Sequence, residues 1–271
     1  MLSQEHIDRF RREGWLIVPG IVPESLCRDV IYTIINYLGL NLKDPESWYK
    51  RKQAGHGIVP LHHPQSLWNI RQLPVIHEIF SDLYGDERLW VSMDRVSYKP
   101  PGGHQSRDWE QAPIHWDCDP WRFKDYSIQG LVYLTDTSES QGAFCCVPSI
   151  FHRLDDWLEE NRGNDLARYP KVDKSDIMSV EGPTGSLVLF NRLMPHSSLL
   201  NQSAEPRFVQ YLAMDPEGSE QIRFERVKQW QEKLPPDWAV KQKIPDQQIP
   251  EPGPAAALTP LGRRLVGIDR W

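Results

Sequence analysis

Five short β-rich segments crowd the second half of this chain: SIQGLVYLTDT from Ser127, GAFCCVP from Gly142, IMSVEG from Ile177, GSLVLFN from Gly185 and RFVQYLAM from Arg207. Short strands at close spacing, separated by turn formers such as Ser138 to Gln141, imply an antiparallel sandwich or jelly roll. Here that is a mainly β double-stranded β-helix, a cupin-like barrel with flanking helices. The barrel is expected to begin near Leu89, where LWVSMDRVSYKPP alternates poorly, but its β-rich content and the Pro100-Pro101 stop argue for a strand. The charged segment from His152 to Asp176 reads as a helix and loop inserted on the outside.

The flanks are helical. Residues 3 to 12 form a predicted helix capped by Ser3, with Ile7 and Phe10 on one face and Gly14 at its end. After WLIVPGIV a second helix runs to about Leu38, with Leu26, Val30, Ile34 and Leu38 recurring along one stripe. The pattern weakens from Gly39 to Pro64 into a long loop of the kind that can cover a barrel mouth. His56, His62 and His63 in that loop are read as substrate contacts or surface residues rather than as a second metal site. A helix after Pro74 buries Ile76, Ile79, Phe80 and Leu83, and another spans Ser219 to Lys233. The Pro-rich stretch from Pro235 to Pro254 is expected to be irregular, and GRRLVGIDRW to dock back. The 271 residues are read as one domain: a mostly helical layer and mouth loop over 1–88, a barrel core over 89–215 with its insert at 152–176, and a C-terminal helix and tail over 216–271.

The chemistry gathers in PIHWDCDPW, Pro113 to Trp121. His115 and Asp117 stand at i and i+2, so on an extended strand both point to one side and reach one metal ion, while Trp116 points away into the core. Two histidines and one carboxylate on one face of an octahedron, the opposite face left open, form the ligand set of non-haem Fe(II) oxygenases. The second histidine must come from elsewhere. His196 is best placed, because the apolar strand from Gly185 leads to it and the strand bearing Arg207 follows. The plain alternative is that Asp117 and His196 form an ordinary polar pair near a barrel mouth.

The H-x-D pair, His196 beyond the G-x-L-V-L-F strand and Arg207 eleven positions after it together resemble the phytanoyl-CoA dioxygenase family of Fe(II)- and 2-oxoglutarate-dependent oxygenases, its bacterial members in particular. The resemblance runs from FRREGWLIVP at Phe10, through GAFCCVPSIFHR at Gly142, to TPLGRRLVGIDRW at Thr259. It implies that His115, Asp117 and His196 bind Fe(II), with 2-oxoglutarate and O2 in the remaining positions. A C–H bond of a small organic metabolite is then oxidised, first of all by hydroxylation, with release of succinate and CO2. It also implies that Arg207 holds the far carboxylate of 2-oxoglutarate, for which a permanently charged guanidinium fork is suited. Ser198 matches a co-substrate hydroxyl of the family, and Gln129 and Lys99 are further candidate donors to that carboxylate. Trp121, in a turn four residues after Asp117, is placed to touch substrate. Halogenases of the superfamily replace the carboxylate by a small residue to admit chloride; Asp117 fills that space. The rivals are a non-catalytic small-molecule-binding barrel, against which the intact triad speaks, and a cupin-like metalloenzyme without 2-oxoglutarate, which gives no reason for Arg207.

Composition removes other classes. The net charge of −6, the pI near 5.9 and the lack of a Lys/Arg run argue against nucleic acid. No Gly-rich phosphate cradle or basic cluster favours a coenzyme A ester. No apolar run approaches the roughly 18 residues that span a bilayer, and the charged N-terminal residues are unlike a secretory leader. Cys27, Cys118, Cys145 and Cys146 form no C-x-x-C pattern, which fits free thiols in a reducing, cytoplasmic compartment, and the adjacent pair Cys145 and Cys146 is expected to point to opposite faces of a strand.

Overall fold

The computed structural model describes residues 1–49, 57–102, 112–123, 125–163, 168–242, 250–251 and 253–271. Helix α1 (Gln4–Glu13) starts in a reciprocal cap, in which the Ser3 hydroxyl accepts the His6 N–H and the His6 ring accepts the Ser3 N–H. It ends at Gly14, whose φ of 76° lies in the left-handed region, and the chain turns directly into β1 (Trp15–Val18). Helix α2 (Glu24–Leu38) buries the stripe Cys27, Val30, Ile34 and Leu38. Two helices follow where one was expected: α3 (Gln65–Arg71) and α4 (Pro74–Tyr84), separated because Pro74 cannot continue the preceding helix and opens a new one.

The large sheet is antiparallel, in the order β1, β8 (Leu187–Asn191), β5 (Ile128–Tyr133), β10 (Arg207–Tyr211), β4 (Val96–Lys99) and β2 (Ile58–Val59), with β3 (Leu89–Val91) and β11 (Met214–Pro216) branching from it. The small sheet is β7 (Met178–Val180), β6 (Phe144–Cys146) and β9 (His196–Ser198), also antiparallel. Leu131, Tyr133, Val188, Phe190 and Val209 from the large sheet meet Phe144, Cys146 and Val180 from the small one in a single apolar cluster, so the sheets pack face to face. The other face of the large sheet is covered by α1 to α4 and by α9 (Pro260–Val266), as Phe10, Val30, Ile79 and Leu265 join Val96, Tyr98 and Phe208. The insert supplies α6 (Leu154–Glu160), whose Trp157 and Leu158 pack with Cys145 and Trp116 on the outside of the small sheet. The neighbouring Cys145 and Cys146 therefore face opposite sides of β6.

Several expectations change. The strand predicted from Leu89 is two strands, because the Asp94 carboxylate takes the Arg95 N–H at 2.6 Å and withdraws that donor from the ladder. The long loop holds a 3-10 turn at Pro45–Tyr49 as well as β2. The stretch after Pro235 contains α8 (Asp237–Lys241), since Pro235 and Pro236 precede its first turn and break nothing. The tail does dock: α9 packs on β3, and the Trp271 indole donates to the Leu89 carbonyl at 3.2 Å. Helix α7 (Glu220–Glu232) lies where the sequence put it. No helix among the described residues is long and apolar enough to cross a membrane.

His62 is buried rather than a surface group, and His63 is half-buried. Their rings hold the carbonyls of Met93 and Leu234, each at 2.8 Å, and His56 lies outside the described residues. Burial pushes His62 down to about 3 and His63 to about 4. Both are neutral in the fold, while the unfolded chain takes up protons near pH 6.5. Their contribution is therefore complete above that pH and is lost as pH falls toward the folded values. Roughly 2–3 kcal/mol of the His62 contribution is expected to be gone by pH 4.5. Urea titrations at pH 7 and 4.5 check this, with His62→Gln showing a smaller loss between them.

Candidate metal centre

The segment bearing His115 is not a full strand, because Pro113 has no N–H to give a ladder. A single bridge replaces it: His115 and His196 each donate their peptide N–H to the other's carbonyl at 3.0 Å, which sets the two rings side by side with centroids 4.8 Å apart. The His115 Nδ1 faces the Pro113 carbonyl at 3.0 Å, and the His196 Nδ1 faces the Met194 carbonyl at 2.9 Å. A carbonyl only accepts, so both Nδ1 atoms carry the proton and both Nε2 atoms are bare ligands.

Asp117 faces both: its Oδ1 is 3.5 Å from the His115 Nε2 and its Oδ2 is 3.5 Å from the His196 Nε2. The ligand atoms of the three residues lie within 4.8 Å of one another, a cluster close enough to gather round one metal ion once each donor closes on it. Gln129 on β5 donates to the Asp117 Oδ2 at 2.9 Å, and an Arg168 nitrogen stands 3.8 Å from its Oδ1. Burial acts to raise the Asp117 carboxyl. Protonated imidazoles at His115 and His196 would donate to it, outweigh burial and hold it well below the usual carboxylate range; with both Nε2 atoms bare, the Gln129 amide and the nearby Arg168 favour the ionised form. Apolar walls complete this end, with Phe190 and Phe144 rings 4.5 and 5.7 Å from that of His196.

A cationic pole lies on the inner face of the large sheet. Lys99 and Arg207 are register partners across β4 and β10, and they are 0% and 2% exposed. The Lys99 Nζ donates to the Ser198 hydroxyl and to the Leu199 carbonyl, both at 2.8 Å. Ser198 follows His196 by two residues on β9 and so points to the same side. Among the described residues neither cation pairs with a carboxylate, and the Arg207 Nε is buried without a hydrogen-bond partner. Burial, and then the charge of Arg207, push the Lys99 amine down to about 7. Two adjacent buried cations with an orphaned N–H are a costly arrangement unless an anion joins them. The donor set of the triad and this pole fit Fe(II) and a dicarboxylate respectively.

His115, Asp117, Gln129, Ser198 and Arg207 line one cavity of about 510 Å³. Gln129 is turned to Asp117 rather than to a distant carboxylate. Trp116 is fully buried, its indole donating to the Leu193 carbonyl at 2.8 Å. Trp121 lies outside the cavity lining: its indole donates to the Leu158 carbonyl at 3.1 Å and its ring stands beside Trp157, so it belongs to the outer cluster and not to a substrate wall. Sequence reasoning passed over Asp94, Arg95, Arg168, Arg192 and Lys241, all of which line the cavity. Only Arg95 left a signal, through its even spacing from Lys99.

The model of the phytanoyl-CoA dioxygenase (PhyH) family matches residues 10–209 of the chain. An ectoine dioxygenase of Halomonas elongata is 23% identical over 239 residues, covering 76% of this chain and 68% of that protein. GlcNAc Inducible Gene 2 from Candida albicans superposes with a TM-score of 0.72 at 13% identity, covering 100% of this chain and 77% of its own. The epimerase SnoN, solved in complex with Fe3+, alpha-ketoglutarate and nogalamycin RO, superposes with a TM-score of 0.59 at 17% identity, covering 79% of this chain and 83% of its own.

Proposed function

The chain belongs to the phytanoyl-CoA dioxygenase family, and we infer that it is a non-haem Fe(II)- and 2-oxoglutarate-dependent dioxygenase that oxidises, by hydroxylation, a C–H bond of a small organic metabolite. The two packed antiparallel sheets are read as a double-stranded β-helix, and the whole chain as one dioxygenase domain working in the cytoplasm. The observation that carries the function is a single cavity lined by a two-histidine, one-carboxylate cluster and by the buried Arg207, behind which Lys99 stands as its register partner.

His115, Asp117 and His196 would hold the iron, which when bound with 2-oxoglutarate and O2 would supply the oxidation of the C–H bond, with succinate and CO2 as co-products. The chain's own part is placement. The Met194 and Pro113 carbonyls fix the imidazole tautomers, and Gln129 fixes the rotamer of Asp117. Arg207 and Lys99 neutralise the far carboxylate of the co-substrate, and Ser198 offers its hydroxyl beside them. Phe144, Phe190 and Leu131 keep the metal face dry.

Turnover of 2-oxoglutarate tests this. Purified protein given Fe(II), ascorbate and 2-oxoglutarate in air is expected to form succinate in step with CO2, and a chelator to stop it; metal-independent or absent succinate formation in folded protein would refute the reading.

Lys99 adds a pH dependence. Its amine is largely neutral above about pH 7 in the free protein, and a dicarboxylate favours the charged form. Binding is therefore expected to take up a proton at pH 8.5 and to weaken as pH rises through that range. Calorimetry of 2-oxoglutarate binding in two buffers of different ionisation enthalpy measures the uptake, and Lys99→Met should abolish it.

A further inference from the structure

Immediately before the strand that carries Lys99 stands a second buried cation, this one lining the cavity. Arg95 is 5% exposed, lines the cavity, and has two guanidinium nitrogens, Nε and Nη1, buried without a hydrogen-bond partner among the described residues. Its one ionic neighbour is Asp94, 3.5 Å from the Nε, and that same carboxylate oxygen already accepts the Arg95 peptide N–H at 2.6 Å. Arg95 therefore brings an incompletely compensated buried charge to the cavity wall. Trp238 of α8 lies over it, ring centroid 4.7 Å from the guanidinium carbon, and forms a flat wall beside it.

Position separates this cation from the co-substrate pole. The Arg95 carbonyl accepts the Tyr211 N–H, so the β4–β10 ladder continues to Arg95, and alternation puts Arg95, Ser97 and Lys99 on the same inner face. Four residues of strand are about 13 Å, too far for one small dicarboxylate to engage the metal, Lys99 and Arg95 at once. The surroundings of Arg95 are cationic as well. Among the described residues the cavity lining holds five basic side chains, including Arg168, Arg192 and Lys241, against Asp94 and Asp117, in a chain whose net charge is −6. Fe(II) and the 2-oxoglutarate dianion add opposite charges of equal size, so the loaded cavity keeps its positive excess.

We propose that the prime substrate is an oxyanion, a small molecule bearing a carboxylate or a phosphoryl group, drawn to the incompletely compensated Arg95 guanidinium at the cavity wall while Trp238 covers the body next to that group. The proposal rests on the dioxygenase reading above and adds the class of molecule to be oxidised. The anion is held at Arg95 and the C–H bond is presented to the metal face between the two cationic poles.

Binding to loaded protein tests it. Under anaerobic conditions the wild-type protein carrying Fe(II) and 2-oxoglutarate, verified by its visible absorption band, is titrated calorimetrically with sodium benzoate and with phenylphosphonate, and with benzyl alcohol as the uncharged control. At least one of the two anions is expected to bind at one equivalent and the alcohol not to bind, the pair telling a carboxylate site from a phosphoryl site. Arg95→Met is expected to weaken that anion at least tenfold while the 2-oxoglutarate band persists. Arg95→Lys, which keeps the charge and loses the fork, should weaken it three- to tenfold, and this variant decides the matter if Arg95→Met does not fold. Failure of both anions to bind, or unchanged affinity in the Arg95 variants, overturns the proposal. Absence of the band in folded wild-type protein instead removes the dioxygenase reading itself.

Discussion

Asp117→Ala is expected to leave the fold intact and to reduce iron-dependent succinate formation more than a hundredfold. The magnitude follows from comparison: loss of a residue that merely orients a ligand costs about 10–100-fold in metal affinity or activity, and Asp117 is the only anionic ligand of the cluster. Its side chain is 34% exposed to the cavity, so truncation opens no void in the packed interior. His196→Ala should abolish activity as completely but is the poorer experiment. The His196 ring is buried against Phe144 and Phe190, and removing it costs on the order of 2–4 kcal/mol of stability as well. Iron binding measured by a chelator competition, together with succinate release and a thermal melt, separates the two effects. Full activity in Asp117→Ala would remove the assigned ligand set.

Arg207→Ala is expected to weaken 2-oxoglutarate by about 100- to 1,000-fold and to leave iron affinity close to wild type. Removing one partner of a buried, hydrogen-bonded charge pair costs roughly 2–5 kcal/mol, much of it from the other charge left without compensation. Here that other charge is the far carboxylate of the co-substrate, and Lys99 alone cannot replace a two-pronged donor. The free variant relieves the crowding of two buried cations, so its melting temperature should not fall in proportion. The predicted pattern is a large rise in the KM for 2-oxoglutarate beside unchanged iron occupancy. Equal loss of both would mean that Arg207 holds the barrel together rather than the co-substrate.

What was legible in the sequence was whatever depends on period and on residue type. Strands β5 to β8 and β10 were readable because β-branched and aromatic runs end at clear turns, and α2 because its apolar residues repeat along one stripe. His115, Asp117, His196 and Arg207 could be named because few residue types ligate iron or fork onto a carboxylate. The structure adds their convergence in one cavity. The metal-bearing segment misled in detail: a strand was expected where Pro113 permits only a bridge, yet the i, i+2 logic survived because that bridge still holds His115 extended.

The illegible parts were those set by side chains competing for the backbone or by distant packing. Asp94 broke a strand by capping its neighbour. Trp121 looked like a substrate contact from its place after Asp117. Its indole had a nearer partner in the insert helix, which no local pattern reveals. Gln129 was expected to serve a distant carboxylate and donates to Asp117 instead, because β5 starts beside the metal cluster.

Anaerobic addition of Fe(II) and then 2-oxoglutarate to purified protein, with Asp117→Ala measured alongside, asks whether the triad and the cationic pole act on one metal and one co-substrate. The weak visible charge-transfer band of an iron-chelated 2-oxo acid is expected in the wild type at one equivalent of each, and is expected to vanish in the variant. Correctly folded wild-type protein that binds iron but never develops the band, or a variant that keeps it, would contradict the assignment of His115, Asp117 and His196 as the iron site of a 2-oxoglutarate-dependent dioxygenase.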